Sequence, residues 1–161
     1  MTITRRQLVM LGIAVGAVAL WLAAGRLIMT DKKRIRAAIG QMAAAMEQGD
    51  TEKLFAHVST FYADETHSYM ELRFLAEMLL RRYEGLSINL RDVQVKVSGV
   101  VAVAQVRVLA GYPGEGTGIS VWQLNFEREP DGRWLVTSLT PIRINASDVS
   151  GWKGFYGGRW E

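Results

Sequence analysis

Leu86-Ser-Ile-Asn-Leu-Arg-Asp-Val-Gln-Val-Lys-Val-Ser-Gly99 runs directly into Val100-Val-Ala-Val-Ala-Gln-Val-Arg-Val-Leu-Ala110. Its apolar residues recur every second position, the signature of half-buried strands whose side chains alternate between two faces. Ile88 and Leu90 keep one phase, Arg91 and Asp92 slip it, and Val93, Val95 and Val97 resume it. A two-residue slip of this kind predicts a β-bulge or bend in one long strand. Ser98-Gly99 then turns the chain, and Ala102, Ala104, Val106 and Val108 face one way while Gln105 and Arg107 face the other.

Working toward the C-terminus, Gly111 to Gly118 holds four glycines and a proline and reads as a loop. Ile119 to Glu129 reads as a third strand, Pro130-Asp131-Gly132 as a tight turn, and Arg133 to Thr140 as a fourth. Strands joined by such short turns are mostly antiparallel.

Working toward the N-terminus, the period changes to that of helices. Thr30 or Asp31 can cap a helix whose apolar stripe is Ile35, Ala38, Ile39, Met42, Ala45 and Met46, and Gly49 ends it. Asp50 caps a second helix with Leu54, Phe55, Val58, Phe61 and Tyr62 on one face. A third, from about Ser68 to Glu84, carries Leu72, Leu75, Ala76, Leu79 and Tyr83 on one stripe, with Met70, Phe74 and Met78 beside it. So wide an apolar surface predicts that this helix lies under the sheet, and Gly85 ends it. The fold class is α+β: three helices against a bent antiparallel sheet that curls into a cone.

The first thirty residues are of another kind. Arg5 and Arg6 precede eighteen uncharged, mostly apolar residues from Leu8 to Gly25, and Arg26, Lys32, Lys33, Arg34 and Arg36 follow. As a helix that run spans about 27 Å, close to the hydrocarbon thickness of a bilayer. All sixteen acidic residues and sixteen of the nineteen lysines and arginines lie after Thr30, so the remainder of the chain is neutral. The net charge of +3 thus belongs to the leading segment, which points to lipid phosphates and away from nucleic acid. The chain divides into residues 1–30 as a membrane anchor, 31–142 as one domain and 143–161 as a tail rich in glycine and aromatics. Arg5, Arg6, Trp21 and Arg26 are the anchor's defining residues. Gly12 and Gly16 form a GxxxG pair of the kind that lets two such helices pack, although small residues are common in any span.

Loop charge alone would leave the domain in the cytoplasm. Thr4-Arg5-Arg6-Gln7-Leu8-Val9, however, resembles the bacterial twin-arginine export signal, which implies transfer across the inner membrane. The expected location is therefore a single-pass inner-membrane protein with a periplasmic domain, the cytoplasmic face being the alternative. Ala23-Ala24-Gly25 suits signal cleavage, whereas Trp21, Leu22 and Leu27-Ile28-Met29 suit a retained anchor, the reading favoured here.

Between about Arg34 and Ile142 the chain resembles the nuclear transport factor 2-like superfamily. The likeness rests on the helix hairpin around Gly49-Asp50, on the two strands quoted above, and on Trp122-Gln-Leu-Asn-Phe-Glu-Arg-Glu-Pro-Asp-Gly-Arg-Trp-Leu-Val136 as a closing hairpin. The resemblance implies a fold more than an activity, because the superfamily includes isomerases, dehydratases, hydrolases and non-catalytic members. It also implies that a homodimer through the open face of the sheet is plausible.

Enzymes of the superfamily place a carboxylate, tyrosine or histidine inside the cone, where burial tunes proton transfer. The candidates here are Asp64 or Asp92 as base, Tyr62 or Tyr69 as donor, and His57, with His67 and Arg91 nearby in sequence. Against them, Ala63 to Ser68 reads as an exposed loop with a solvated His67, and the cone-facing strand positions are Val, Ala and Leu. Phe55, Val58, Phe74, Met78, Val95 and Val106 are expected to line an apolar pocket. With no cysteine, thiolate chemistry and cysteine-ligated metals are excluded. His57 and His67 with Asp64 and Glu65 match no metal-ligand spacing, so neither metal nor cofactor is expected. The loop at Gly111 lacks the lysine of a phosphate-binding loop.

Trp152, Phe155, Tyr156 and Trp160, set among glycines, could dock on a partner or membrane interface, or cover the chain's own sheet. The functional expectation is a membrane-anchored, non-catalytic binding or scaffold domain in a bacterial envelope assembly. In architecture it resembles the inner-membrane scaffolds of type IV secretion systems and the membrane proteins that accompany mycobacterial lipid importers. The alternative is a binder of an apolar or lipidic small molecule, or an isomerase- or dehydratase-like enzyme, using the cone.

Overall fold

A computed structural model describes residues 31–113, 116–144 and the backbone of 147–148. Helix α1 occupies 31–47, α2 is Thr51–Phe55 and α3 is Tyr69–Arg82. Four long strands follow, β1 Ser87–Ser98, β2 Val101–Tyr112, β3 Gly116–Arg128 and β4 Trp134–Ile144, with a two-residue β5, Ser147–Asp148. They form one sheet in chain order, every neighbouring pair antiparallel. The α+β expectation holds. Among the described residues no helix is long and apolar enough to cross a membrane, and the span expected over Leu8 to Gly25 lies outside them.

The concave face of the sheet carries Val95, Ala102, Ala104, Val106, Leu124, Phe126, Trp134 and Val136, all buried. These close over Ile35, Ile39, Met42 and Ala45 from α1, Leu54 and Phe55 from α2, and Leu80 from α3. Period-two patterning therefore placed the sheet's inner face correctly. The register of β1 on β2 jumps between Arg91 and Gln94, where Asp92 and Val93 stand opposite Val106 alone. Asp92 sits at φ 48°, a left-handed conformation that Asp tolerates better than most residues. The slip of phase in the sequence is thus a bulge.

The helix boundaries follow local chemistry. Gly49 leaves α1 at φ 66°, and Asp50 accepts the Lys53 N–H at 3.0 Å to cap α2. Ser68 opens α3, its N–H and hydroxyl both donating to the Glu71 carboxylate. Asp31 is already helical rather than a cap. Its carboxylate accepts from Trp134 Nε1 at 3.2 Å and from Arg128 at 3.4 Å, tying the start of α1 to the β3–β4 hairpin.

Three expectations need correction. The second helix stops at Phe55, because the chain beyond it pairs with β4: Val136 N–H donates to His57 O, and Ser59 N–H and Ala63 N–H donate to Val136 O and Thr137 O. Those bonds cover an otherwise open strand edge, and they turn Phe61 outward, where it is 87% exposed. Gly111 to Gly118 is not simply a loop either. Gly111 pairs with Thr117 and Tyr112 with Gly116, so the strands run almost to the tip. Finally, α3 turns a different face inward from the one expected. Tyr69, Leu72, Ala76 and Leu80 pack inward, whereas Leu79 of the expected stripe is 37% exposed and Met70, Phe74 and Met78 are 70%, 67% and 45% exposed.

Candidate functional site

The densest polar constellation lies between the β4-paired segment and α3. Tyr62 is buried, and its hydroxyl donates to Asp64 Oδ2 in a short hydrogen bond. The other carboxylate oxygen, Oδ1, accepts from Thr66 N–H at 2.8 Å, Thr66 Oγ1 at 3.1 Å and His67 N–H at 2.7 Å, with His67 Nδ1 3.5 Å away. The Asp64 side chain is 3% exposed and that of His67 12%. The loop histidine expected to be solvated is therefore enclosed. Asp64 pulls it in by taking its N–H, and Asp64 N–H in turn donates to His67 O at 3.1 Å.

Electrostatically the cluster is settled. Burial by itself would raise the Asp64 carboxyl, but the hydrogen bonds from Tyr62, Thr66 and His67 outweigh it and hold the group below its ordinary value. Tyr62 moves the opposite way, far above the ordinary phenol value, chiefly through burial and then through its bond to Asp64. At neutral pH the pair is thus a carboxylate and a neutral phenol. A base whose oxygens already accept four donors has little capacity left for a substrate proton, so the arrangement clamps a turn more readily than it moves protons.

The remaining candidates are dispersed. His57 is half-buried and its imidazole is pushed below the ordinary value by burial. Tyr69 is committed to the core, edge-on to Phe55 with ring centroids 5.4 Å apart. Asp92 does not face the cone: the bulge swings it to the convex side, where it pairs with Arg107 at 2.7 Å. Among the described residues no group of three or more His, Asp or Glu is arranged to hold a metal.

The expected pocket lining divides in two. Phe55, Val58, Val95 and Val106 are buried in the core, but Phe74 and Met78 point outward, because the Leu72–Ala76–Leu80 stripe takes the inner side of α3. A cleft of about 560 Å³ opens elsewhere, between the α1–α2 turn and the end of α3, bordered by Met46, Glu47, Glu77, Leu80, Arg81 and Glu84. Not one of the expected lining residues borders it. Arg5, Arg6, Trp21 and Arg26, and Trp152, Phe155, Tyr156 and Trp160, lie outside the described residues. Sequence reasoning missed the carboxylate of Asp31, whose partner Trp134 is 103 positions away.

No protein-family model and no curated protein matches the chain. Solved structures do. A candidate dehydratase of the nuclear transport factor 2-like family from Streptomyces avermitilis superposes with a TM-score of 0.58 at 23% identity, over 70% of this chain and 95% of that one. A nuclear transport factor 2-like protein with a cystatin-like fold from Novosphingobium aromaticivorans gives 0.63 at 22% identity, over 74% and 86%. A candidate ketosteroid isomerase from Shewanella frigidimarina gives 0.54 at 19% identity, over 64% and 89%. Identities this low speak to architecture, and the architecture of residues 31–144 is the nuclear transport factor 2-like fold.

Proposed function

We propose that this chain is a membrane-anchored, non-catalytic binding domain that scaffolds a protein assembly of a bacterial envelope. One observation carries the reading: the strand positions facing the cone are apolar and packed against α1, α2 and α3, so the interior is a core. A second favours a role at the surface, since Phe61, Met70, Phe74 and Met78 are large apolar side chains left exposed. The apolar run Leu8 to Gly25 with its flanking arginines supplies the tether, and the twin-arginine likeness supports a periplasmic domain. Pairing of two copies, and docking by Trp152, Phe155, Tyr156 and Trp160, belong to the same proposal.

The test is site-specific photo-crosslinking in living cells, with benzoylphenylalanine replacing Phe61, Phe74 or Val103 in the full chain. A discrete adduct to an envelope protein from at least one position supports the reading. Absence of any adduct, together with a stoichiometric small molecule found by native mass spectrometry, overturns it.

A second reading, dehydratase- or isomerase-like chemistry, draws on the Tyr62–Asp64–His67 chain and on the fold likeness to candidate dehydratases and isomerases. It requires that Asp64→Asn abolish turnover of a substrate identified by native mass spectrometry while leaving the fold intact. Unchanged turnover in that variant removes it.

A further inference from the structure

The short strand β5 sets the direction in which the chain leaves the described residues. Ser147 stands opposite Ile144 and Asp148 opposite Arg143, so the chain after Asp148 is aimed back along the outer edge of β4 toward Thr137. Little of that edge is open to further pairing. Pro141 has no N–H to give. From Leu139 to Val136 the edge is already taken: the Tyr62 hydroxyl meets the Leu139 backbone, and Ala63 N–H and Ser59 N–H donate to Thr137 O and Val136 O. A continuation of β5 is thus directed onto the Ser59–Ala63 segment.

That segment offers exposed apolar surface. Phe61 lies two residues before Ala63 and Met70 two residues after Ser68, and the Ala63–Ser68 bridge draws these two exposed side chains to one end of α3. Distance sorts what can reach them. From Arg143 to Thr137 is six residues of strand, about 20 Å at roughly 3.3 Å per residue, and an extended tail needs about as many residues to cover it. Trp152, four residues beyond Asp148, falls short of Phe61. Phe155 and Tyr156, seven and eight residues beyond, reach it, and Trp160, twelve beyond, reaches Met70. Charge agrees with distance. From Phe61 to Glu71 the chain carries Asp64, Glu65 and Glu71 with no lysine or arginine, whereas Lys153 and Arg159 flank Phe155 and Tyr156.

We propose that the C-terminal tail docks on its own domain, laying Phe155 and Tyr156 over Phe61 and Trp160 over Met70. Rings meeting edge to face, and a thioether at a ring edge, are favourable pairings for these side chains. A tail joined to the same chain is supplied at a far higher effective concentration than that of a second copy. The proposal rests on the protein-binding reading above and gives its aromatic tail a seat. Phe74 and Met78, one and two turns further along α3, stay open. The outer sides of the seated aromatics extend that stripe into one continuous surface for an envelope partner.

The test is photo-crosslinking of the purified full chain in dodecyl maltoside, with benzoylphenylalanine in place of Phe61 and a mixture of nitrogen-15-labelled and unlabelled protein. The adduct, mapped by proteolysis and mass spectrometry, is expected within residues 154–161 of the same chain. Its yield is expected to fall about fivefold or more in Phe155→Ser/Tyr156→Ser, and about twofold in Lys153→Glu/Arg159→Glu or with added salt. These variants alter only the tail, so loss of the domain's fold does not confuse the result. An adduct joining labelled to unlabelled chains, an adduct elsewhere in the domain, no adduct, or an unchanged yield in Phe155→Ser/Tyr156→Ser overturns the proposal. If Phe61 fails to find the tail while benzoylphenylalanine at Phe74 or Val103 captures an envelope protein in cells, only the seat of the tail is wrong. If no position captures one, the protein-binding reading fails as well.

Discussion

The sheet and helix α3 solve the same problem with different degrees of ambiguity. In β2 each inward residue is apolar and small, Ala102, Ala104 and Val106, and between them stand Gln105 and Arg107, which could not be buried unpaired at any reasonable cost. In α3 both sides are apolar. Leu72, Ala76 and Leu80 go inward, and Met70, Phe74 and Met78, equally hydrophobic and equally well spaced, remain outside. Polar residues thus decide orientation by what they exclude, and in α3 the charged Arg73 and Glu77 separate the two apolar stripes without marking which of them is the inner one.

The sharpest way to break that comparison is truncation of one aromatic from each population. Phe126→Ala, at a side chain 1% exposed, should cost about 3–5 kcal/mol in urea unfolding of the detergent-solubilised chain. Phe74→Ala should stay within about 0.5 kcal/mol. Comparable losses at the two sites would mean that α3 buries its outer stripe after all.

An intermediate effect is expected at the polar cluster. Tyr62→Phe removes one donor from an almost fully enclosed carboxylate and should cost about 1–3 kcal/mol. The pH dependence has a defined sign. Asp64 titrates below its ordinary value in the folded chain, so its contribution is present above about pH 4 and is lost as pH falls through the lowered folded value. Tyr62 titrates above its ordinary value, so its contribution is complete below about pH 10 and declines as pH rises beyond. Burial depresses His57, so stability should also slip as pH drops below about 6.5. Melting curves from pH 3 to 11 should lose the acid limb between pH 3 and 4 in Asp64→Asn and the limb above pH 10 in Tyr62→Phe.

The smallest of these effects tests a turn. Gly85 sits at φ 80° with Pro113 Cγ 3.3 Å from where a Cβ would lie, so Gly85→Ala should cost about 1 kcal/mol through strain. A neutral result would show that the α3–β1 connection is free to rearrange.

Much of this architecture was readable from residue order because its determinants are local. The phase slip at Arg91 and Asp92 announced the bulge, Pro130-Asp131-Gly132 the last hairpin, and Gly49-Asp50 the break between α1 and α2. What escaped is non-local. The second helix ends early because His57, Ser59 and Ala63 find backbone partners on β4, more than seventy residues away, and no helical stripe can foretell that competition. The glycines from Gly111 onward suggested a loop, yet glycine pairs across strands when its neighbours hold the register. At the candidate site, Tyr62 and Asp64 were legible as near neighbours. The enclosure of His67 was not, because it follows from a carboxylate folding back on its own turn.

The bond from Trp134 to Asp31 fixes where mechanical tension would enter this molecule. Load carried along the first helix would pass from Asp31 to the tip of the last hairpin, through one indole and one guanidinium. The domain would therefore resist as a unit joined at both ends of its chain order. Severing that single carboxylate would leave α1 held by the burial of Ile35, Ile39, Met42 and Ala45 alone.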